Sequence, residues 1–304
     1  MLRSFFISMS RNKALRAFSE KSSLGKKLSS RFIAGMTVEA ALKAAAEMNR
    51  EGIAVSLDSL GESVTDARQA HASASVYHEI LDAIKARGLK ANVSVKLTQM
   101  GMDIDPELAE SIVRGIIVHA EEADTFVRID MEGSELTEAT LQMTERLHAR
   151  WPGRVGTVLQ AYLYRTADDA QRLVQQGIRI RLCKGAYQEA AEVAFPAKAE
   201  VDDNYEALMI YLATSGVFCG LATHDEKIID GMCRFTEERK LSKQSFEFQM
   251  LYGIRRDLQR KLVARGYRVR CYIPFGPEWY PYFMRRLAER PANVLFLAKN
   301  FLRN

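Results

Sequence analysis

The sequence predicts an α/β protein with a (β/α)8 barrel of the TIM type, on three observations. Short apolar segments typical of buried strands occur eight times along the chain. Longer segments with helical periodicity separate them, and strands separated by helices pair in parallel through right-handed crossovers. The length of 304 residues also suits this fold, since a TIM barrel uses about 250 residues as one domain.

The strands are predicted from their Val, Ile, Leu and Phe content. In chain order they cover residues 52–60, 91–97, 126–131, 156–163, 178–183, 218–223, 246–251 and 268–274. A helix over residues 36–50 is predicted before the first strand, with Thr37 as its N-cap. Clear helical patterns between strands include residues 105–120, 168–176 and 225–238. A doubly wound open sheet is the alternative, but its usual Gly-x-Gly-x-x-Gly turn after the first strand is missing.

One more helix is predicted after the eighth strand, from a Gly-Pro-Glu start at 276 to a proline stop. Four residues at i, i+3, i+4 and i+7 share one of its faces, namely Tyr282, Arg285, Arg286 and Glu289. Two adjacent guanidiniums favour a bound anion, because arginine forks onto carboxylates and phosphates. We therefore expect a small anionic substrate, while an ordinary solvated helix face is the alternative.

The net charge of +5 is distributed unevenly. Residues 1–32 carry eight Lys/Arg against one Glu, a local charge of +7 that leaves −2 for the remaining chain. We expect a basic N-terminal arm over residues 1–35 and a single barrel over 36–304. The arm could contact an anionic membrane surface peripherally, could be a segment similar to a transit peptide, or could pack on the barrel as a helix. Nucleic-acid binding is disfavoured, because the barrel has no basic excess.

Other composition features exclude several classes of protein. The four cysteines show no Cys-x-x-Cys spacing and lie in apolar segments, which indicates buried reduced thiols in a cytoplasmic protein. The five histidines lack zinc-ligand spacing, so no metal is expected. We find no apolar segment of membrane-spanning length and no signal-peptide pattern.

Polar side chains follow all eight predicted strands, where a TIM barrel has its active site. They are Asp58, Glu62, Lys96, Asp130, Glu132, Gln160, Tyr164, Arg181, Lys184, Tyr187, Thr223, His224, Gln249 and Tyr272. A single such residue is usually a cap or a satisfied core group. Their occurrence at every strand end indicates a functional site.

Each group suggests a ligand chemistry. Lys96 and the arginine pair suit one carboxylate, whereas Arg181, Lys184 and Gly185 suit a larger anion. Gln160 can donate and accept, which suits the edge of a flavin or pyrimidine ring. A convincing Ser-His-Asp triad is missing, so the site is expected to hold an organic cofactor.

Seven segments together resemble the proline dehydrogenase family, in the monofunctional bacterial form. They are Ser94–Leu97, Ile129–Glu132, Gln160–Tyr162, Arg181–Tyr187, Ala222–His224, Phe246–Gln249 and Tyr282–Glu289. The resemblance covers about residues 36–300. It implies a distorted barrel with its last helix over the mouth and non-covalent FAD. It also implies oxidation of L-proline to Δ1-pyrroline-5-carboxylate, with electrons passed to a quinone or another membrane acceptor.

The resemblance also implies residue roles. Residues expected around proline are Lys96, Tyr187, Leu251, Tyr272, Tyr282, Arg285, Arg286 and Glu289. Those expected around FAD are Gln160, Arg181, Lys184, Gly185, Ala186, Thr223 and His224. Asp130 is expected to anchor the site without a resolved role. Glu62 is expected to pair with Arg285 and close the site over substrate. Gln188 departs from the aromatic residue that bifunctional relatives tend to have there.

Two other functions compete with this interpretation. A Schiff-base aldolase would use a strand-end lysine, and Lys96 and Lys184 are both placed for that role. A non-catalytic barrel that binds a membrane or a partner through its basic arm is the second alternative.

Overall fold

The computed structural model describes residues 32–61, 63–187, 189–280, 282 and 284. Several predictions fall outside these residues. They concern most of the basic arm, the gate residue Glu62, Gln188, and the last-helix residues Arg285, Arg286 and Glu289.

Eight parallel strands form a closed barrel in the order β1 to β8, which confirms the predicted fold. The strands are β1 Ala54–Ser59, β2 Ala91–Val95, β3 Val127–Ile129, β4 Val155–Gln160, β5 Arg179–Cys183, β6 Cys219–Ala222, β7 Phe246–Leu251 and β8 Arg268–Phe275. The barrel closes where β1 pairs with β8 in a register that joins Ala54 to Arg270 and Ser59 to Phe275.

Eight α-helices surround the barrel within the described part of the chain. They are α1 Val38–Arg50, α2 Ala67–Arg87, α3 Pro106–Glu122, α4 Thr137–Arg150, α5 Thr166–Gln175, α6 Lys198–Thr214, α7 Glu226–Glu238 and α8 Arg256–Ala264. Side-chain caps set several starts, because Thr37, Asp66, Asp105 and Asp225 accept from first-turn N–H groups. The predicted cap at Thr37 is confirmed.

The first six strands are shorter than predicted, and two of them show the local reason. The first strand begins at Ala54 because Gly52, with φ +78°, belongs to the turn that ends α1 and donates to the Asn49 carbonyl. The fourth strand ends at Gln160, since Leu163 leaves the barrel and forms an isolated antiparallel bridge with Ala194.

The strands turn apolar residues outward and polar residues inward. In β1, Val55 and Leu57 belong to the hydrophobic core that the helices cover. Alternating with these two residues, Ser56 hydrogen-bonds Ser94, and Asp58 accepts from Lys96, both inside the barrel. Burial of each Leu or Ile stabilises the outer layer by about 1.5–3 kcal/mol. The inner layer is held by polar contacts instead.

The segment before α1 is attached to the last strand. Ala34 donates to the Pro274 carbonyl at 3.0 Å, and Gly276 donates to the Gly35 carbonyl at 3.0 Å. Phe32 and Ile33 are buried as well. The division of the chain at residue 35 remains a prediction.

All four cysteines are free. Burial raises the pKa of Cys219 and of Cys271 to about 12, so both thiols stay protonated at neutral pH. Among the described residues, no helix is both long and apolar enough to cross a bilayer.

Candidate active site

A cavity of about 630 Å³ opens at the carboxyl ends of the strands, which is the catalytic end of this fold. The structure brings every described residue that was expected to contact proline or FAD to its wall, together with Asp130. These are Lys96, Asp130, Gln160, Arg181, Lys184, Gly185, Ala186, Tyr187, Thr223, His224, Leu251, Tyr272 and Tyr282. The volume lies within the range of about 300–1,000 Å³ that is typical of ligand and cofactor pockets.

Lys96 forms an ion pair with Asp58 at the cavity floor. Its Nζ lies 3.1 and 3.2 Å from the two carboxylate oxygens, and the Asp58 side chain is 1% exposed. Burial raises the pKa of Asp58, while the Lys96 charge opposes that shift. Sequence reasoning noted Asp58 at a strand end but gave it no role. The structure shows that it is the counter-ion of Lys96.

Arg181 is held by side chains from four other segments. Its Nη1 lies 2.7 Å from Asp130, its Nε donates to Gln249 at 2.6 Å, and its Nη2 donates to Ser56 and Ser94. Four of its five N–H groups are therefore used, which leaves one on Nη1. Arg181 faces the cavity as a rigid charge and not as a mobile donor.

Asp130 anchors both Arg181 and Tyr272. One carboxylate oxygen accepts from Arg181, and the other accepts from the Tyr272 hydroxyl at 2.8 Å. The Tyr272 ring in turn stacks on the Arg181 guanidinium, whose central carbon Cζ lies 5.0 Å from the ring centroid. Burial, followed by the nearby Asp130 and Asp58 charges, raises the pKa of Tyr272 far above its ordinary value. Its phenol thus remains a hydrogen-bond donor at any physiological pH.

Gln160 and Gly185 shape one wall. The side-chain oxygen of Gln160 accepts from the Ala186 N–H at 3.2 Å, and its side-chain NH2 donates to the Glu132 backbone carbonyl at 3.0 Å. Gly185 has φ +132°, and a Cβ there would lie 2.4 Å from the Tyr162 ring. Only glycine lets this loop lie flat on Tyr162 and keep the wall open.

Lys184 lies between two carboxylates, at 2.5 Å from Asp202 and 3.3 Å from Asp225. Asp202 comes from α6 and Asp225 caps α7, so helices that follow two different strands supply its partners. Sequence reasoning missed both. Asp202 reads as a surface residue of an amphipathic helix, and only the assembled barrel brings it to the cavity.

Thr223 and His224 join the ends of β6 and β7. The Thr223 N–H donates to the Gln249 carbonyl at 3.2 Å. His224 Nε2 accepts from the Leu251 N–H at 2.9 Å, so this nitrogen carries no proton. The residue is therefore fixed as an acceptor toward the strand.

Two residues noted at strand ends lie outside the cavity. Tyr164 is 45% exposed, and its hydroxyl donates to the Ala191 carbonyl. Glu132 is buried and accepts from the N–H and hydroxyl of Thr98. Both have structural roles here. Tyr282 has helical backbone and lines the cavity, and Trp279, Tyr280 and Met284 of the predicted last helix are also helical and buried. Arg285, Arg286 and Glu289 lie outside the described residues.

We predict that Asp130→Ala destabilises the fold by about 3–5 kcal/mol, because it leaves the buried Arg181 charge without its partner. Urea unfolding followed by circular dichroism measures this loss. The control is Glu110→Ala, which removes the partner of the half-exposed Arg146 and should cost no more than about 1 kcal/mol. Equal losses in the two variants would contradict the anchoring role of Asp130.

Comparison with known proteins agrees with this geometry. A family model described as proline dehydrogenase matches residues 41–299. Proline dehydrogenase 1 of Bacillus subtilis is 40% identical over 304 residues, which covers 100% of both chains. Proline dehydrogenase of Deinococcus radiodurans is 42% identical over 280 residues, 91% of this chain and 90% of the relative.

The fold has a similar solved neighbour. The crystal structure of proline utilization A from Bdellovibrio bacteriovorus, inactivated by N-propargylglycine, aligns with a TM-score of 0.80 and 25% identity. The alignment covers 86% of this chain and 32% of that much longer one. The full-length match to the curated relatives and the family model assign the chain: it belongs to the proline dehydrogenase family.

Proposed function

We propose that this protein oxidises L-proline to Δ1-pyrroline-5-carboxylate with FAD as the electron acceptor. Membership of the proline dehydrogenase family along the full chain is the observation that carries the proposal. The charged, tyrosine-lined cavity at the catalytic end of the barrel supports it.

The chemistry of the residues around the cavity fits FAD. One part of the wall offers the Lys184 ammonium and the side-chain-free Gly185, which suit phosphate oxygens at close approach. Another offers the fixed Arg181 charge and the Gln160 amide, which suit a heterocycle edge. Residues that would hold the cofactor are Gln160, Arg181, Lys184, Gly185, Ala186, Thr223 and His224. When bound, FAD supplies a two-electron acceptor for hydride at N5.

The proline carboxylate is proposed to bind Lys96, Arg285 and Arg286, with Glu289 orienting the arginines. Since Asp58 already neutralises Lys96, most of the net positive charge for the carboxylate must come from the arginine pair. Tyr187, Leu251, Tyr272 and Tyr282 would form the wall around the ring. Holding proline C5 in a reactive position accounts for a large part of the rate, on the order of 7–11 kcal/mol at best.

The ammonium proton of proline must leave before hydride transfer, and we propose that solvent takes it. Asp58 is committed to Lys96, and both oxygens of Asp130 accept from Arg181 and Tyr272. Tyr272 stays protonated because burial raises its pKa. These three side chains therefore hold the substrate wall in place without taking a proton.

Reoxidation by a quinone or another membrane acceptor completes the proposed cycle. A protein located in the cytoplasm could reach such an acceptor through peripheral contact of the basic segment 1–32 with an anionic membrane. The proposed pair of Glu62 with Arg285 would close the site during turnover.

The aldolase alternative is weaker. A Schiff-base nucleophile must be a neutral amine, whereas Lys96 pairs with Asp58 and Lys184 pairs with Asp202 and Asp225. Both lysines are thus arranged as structural cations.

The test of the cofactor is release of the flavin. We expect purified protein to be yellow and to release about one equivalent of FAD on denaturation without proteolysis, because the proposed binding is non-covalent. Absorbance spectra and chromatography of the supernatant measure this. Protein that is colourless, and stays so after incubation with FAD, would contradict the proposal.

Arg286→Met is expected to raise the KM for proline ten- to a hundredfold, since a charge-assisted contact contributes about 1.5–3 kcal/mol. Lys96 is a poorer target, because its loss leaves buried Asp58 without a partner. Arg146→Met, at a half-exposed arginine paired with Glu110, is the control and should leave KM unchanged. An unchanged KM in Arg286→Met would remove the arginine from the substrate site.

Tyr272→Ser is expected to raise the ratio of kcat/KM for 4-hydroxyproline to that for proline by about tenfold or more, since the phenol ring limits the space beside C4. Tyr272→Phe keeps the ring and loses only the hydrogen bond to Asp130, so it should keep the preference for proline. The ratio of kcat/KM for the two substrates measures this. Equal ratios in both variants would refute a steric role for the ring.

A further inference from the structure

A second cavity of about 460 Å³ opens at the opposite end of the barrel, where the strands begin. Its walls carry Lys90, Arg154, Arg179, Arg268 and Arg270. These residues stand at or just before the starts of β2, β4, β5 and β8. The catalytic residues lie at the other end, so this cluster belongs to a separate part of the molecule.

The cations of this cavity outnumber the carboxylates near them. Arg270 pairs with buried Glu247 at 2.6 Å, and Arg154 pairs with exposed Asp124 and more distantly with Glu121. Among the described residues, the Arg179 and Arg268 guanidiniums contact phenylalanine rings and form no hydrogen bond or ion pair. The structure therefore leaves an excess of positive charge in a concave site.

The arginines crowd two phenylalanine rings. Arg128, Arg179 and Arg270 lie 5.2, 5.2 and 5.7 Å from the Phe126 centroid. Arg179 and Arg268 lie 5.9 and 4.7 Å from the Phe218 centroid. Cation–π contact offsets part of the repulsion but brings no negative charge. The guanidiniums are thus assembled with fewer carboxylates than cations.

A separate observation is the state of Arg128 beneath the cluster. It is fully buried, and its Nη1 donates to the Thr157 and Arg179 carbonyls. Its Nε and Nη2 have no hydrogen-bond partner. Burial, with the charge of Arg181 next, lowers its pKa. Burial also lowers the pKa of Arg179, and Arg270, Arg268 and Arg154 add to that shift, whereas the Glu247 charge opposes it.

A purely structural role does not account for this arrangement. The Arg270–Glu247 pair fixes β8 to β7 and needs neither Arg179 nor Arg268. Keeping unpaired guanidiniums close together costs stability unless an anion joins them. A divalent oxyanion, held by several guanidinium forks, is the ligand that best offsets such a cluster.

We propose that this basal cavity binds a small molecule carrying a phosphate or diphosphate group, with Arg179 and Arg268 as its principal ligands. The cavity is larger than one phosphate, and the apolar residues Leu89, Ala91 and Phe126 offer space for an organic part. An extended polyanion is disfavoured, because the site is concave and the chain beyond residue 32 has a net charge of −2. The inference does not depend on the proposed catalytic function.

The test is isothermal titration calorimetry of the purified flavoprotein with inorganic pyrophosphate at fixed ionic strength. We expect one saturable site. Arg179→Met combined with Arg268→Met should weaken binding at least tenfold, because it removes two charge-assisted contacts. The control is Arg239→Met, an exposed arginine 5.8 Å from the Phe235 centroid, and it should leave the affinity unchanged.

Three results would overturn the proposal. They are no saturable binding to the unmutated protein, equal affinity in the double variant, or equal weakening in the Arg239→Met control. Binding to vesicles of anionic phospholipid without binding to pyrophosphate would also contradict it, by making lipid headgroups the source of phosphate.

The ligand-free double variant provides an independent readout. Its melting temperature should not fall below that of the unmutated protein, because the substitutions keep the aliphatic stems and remove charges that repel one another. A lower melting temperature would indicate that the two arginines stabilise the fold by themselves. If the double variant does not fold, exposed Arg268→Met alone must still weaken pyrophosphate binding.

Discussion

The buried guanidinium of Arg181 is the interaction on which the active end of the barrel depends. It joins β5 to hydroxyls of β1 and β2, to the carboxylate after β3 and to the amide of β7. A charge at 6% exposure is tolerated only when it is paired and hydrogen-bonded, and Asp130 supplies the pairing. The strand ends are therefore held at fixed distances by directional contacts, which an apolar core would not impose.

The lysines at the rim of the cavity are also paired with carboxylates. Lys96 is matched by Asp58, and Lys184 is matched by Asp202 and Asp225. Paired cations of this kind keep their positions before any ligand arrives, so binding does not have to order them. Tyr272 adds a rigid ring whose hydroxyl is fixed on Asp130. Such a site is suited to holding a small ring molecule in one orientation.

The sequence was sufficient to predict the barrel, because strand composition and helix caps are local signals. It also placed the candidate residues at strand ends, since parallel strands bring their carboxyl ends to one face. The partners of those residues were not accessible in the same way. The pairing of Lys184 with Asp202 depends on how α6 packs on the barrel. Tyr164 and Glu132 failed as cavity residues because position after a strand does not fix the direction of a side chain.

The charge at the two ends of the barrel illustrates the same limit. Counting residues assigned the basic excess to the N-terminal arm and none to the barrel. Within the barrel, however, Arg179, Arg268 and Arg270 gather at one cavity. The net charge of the barrel is close to zero and gives no sign of this local cluster of cations. The cluster becomes visible only in the strand register that aligns β5, β7 and β8.

The proposed function requires the cavity to orient a ring amine by its carboxylate for oxidation. Anaerobic titration of the purified protein loaded with FAD, followed at the visible flavin band, tests it with two substrates that differ only in that group. We expect L-proline to bleach the band and pyrrolidine to need at least about a tenfold higher concentration, because pyrrolidine lacks one charge-assisted contact. Equal bleaching by both amines, or no bleaching by L-proline, would contradict it.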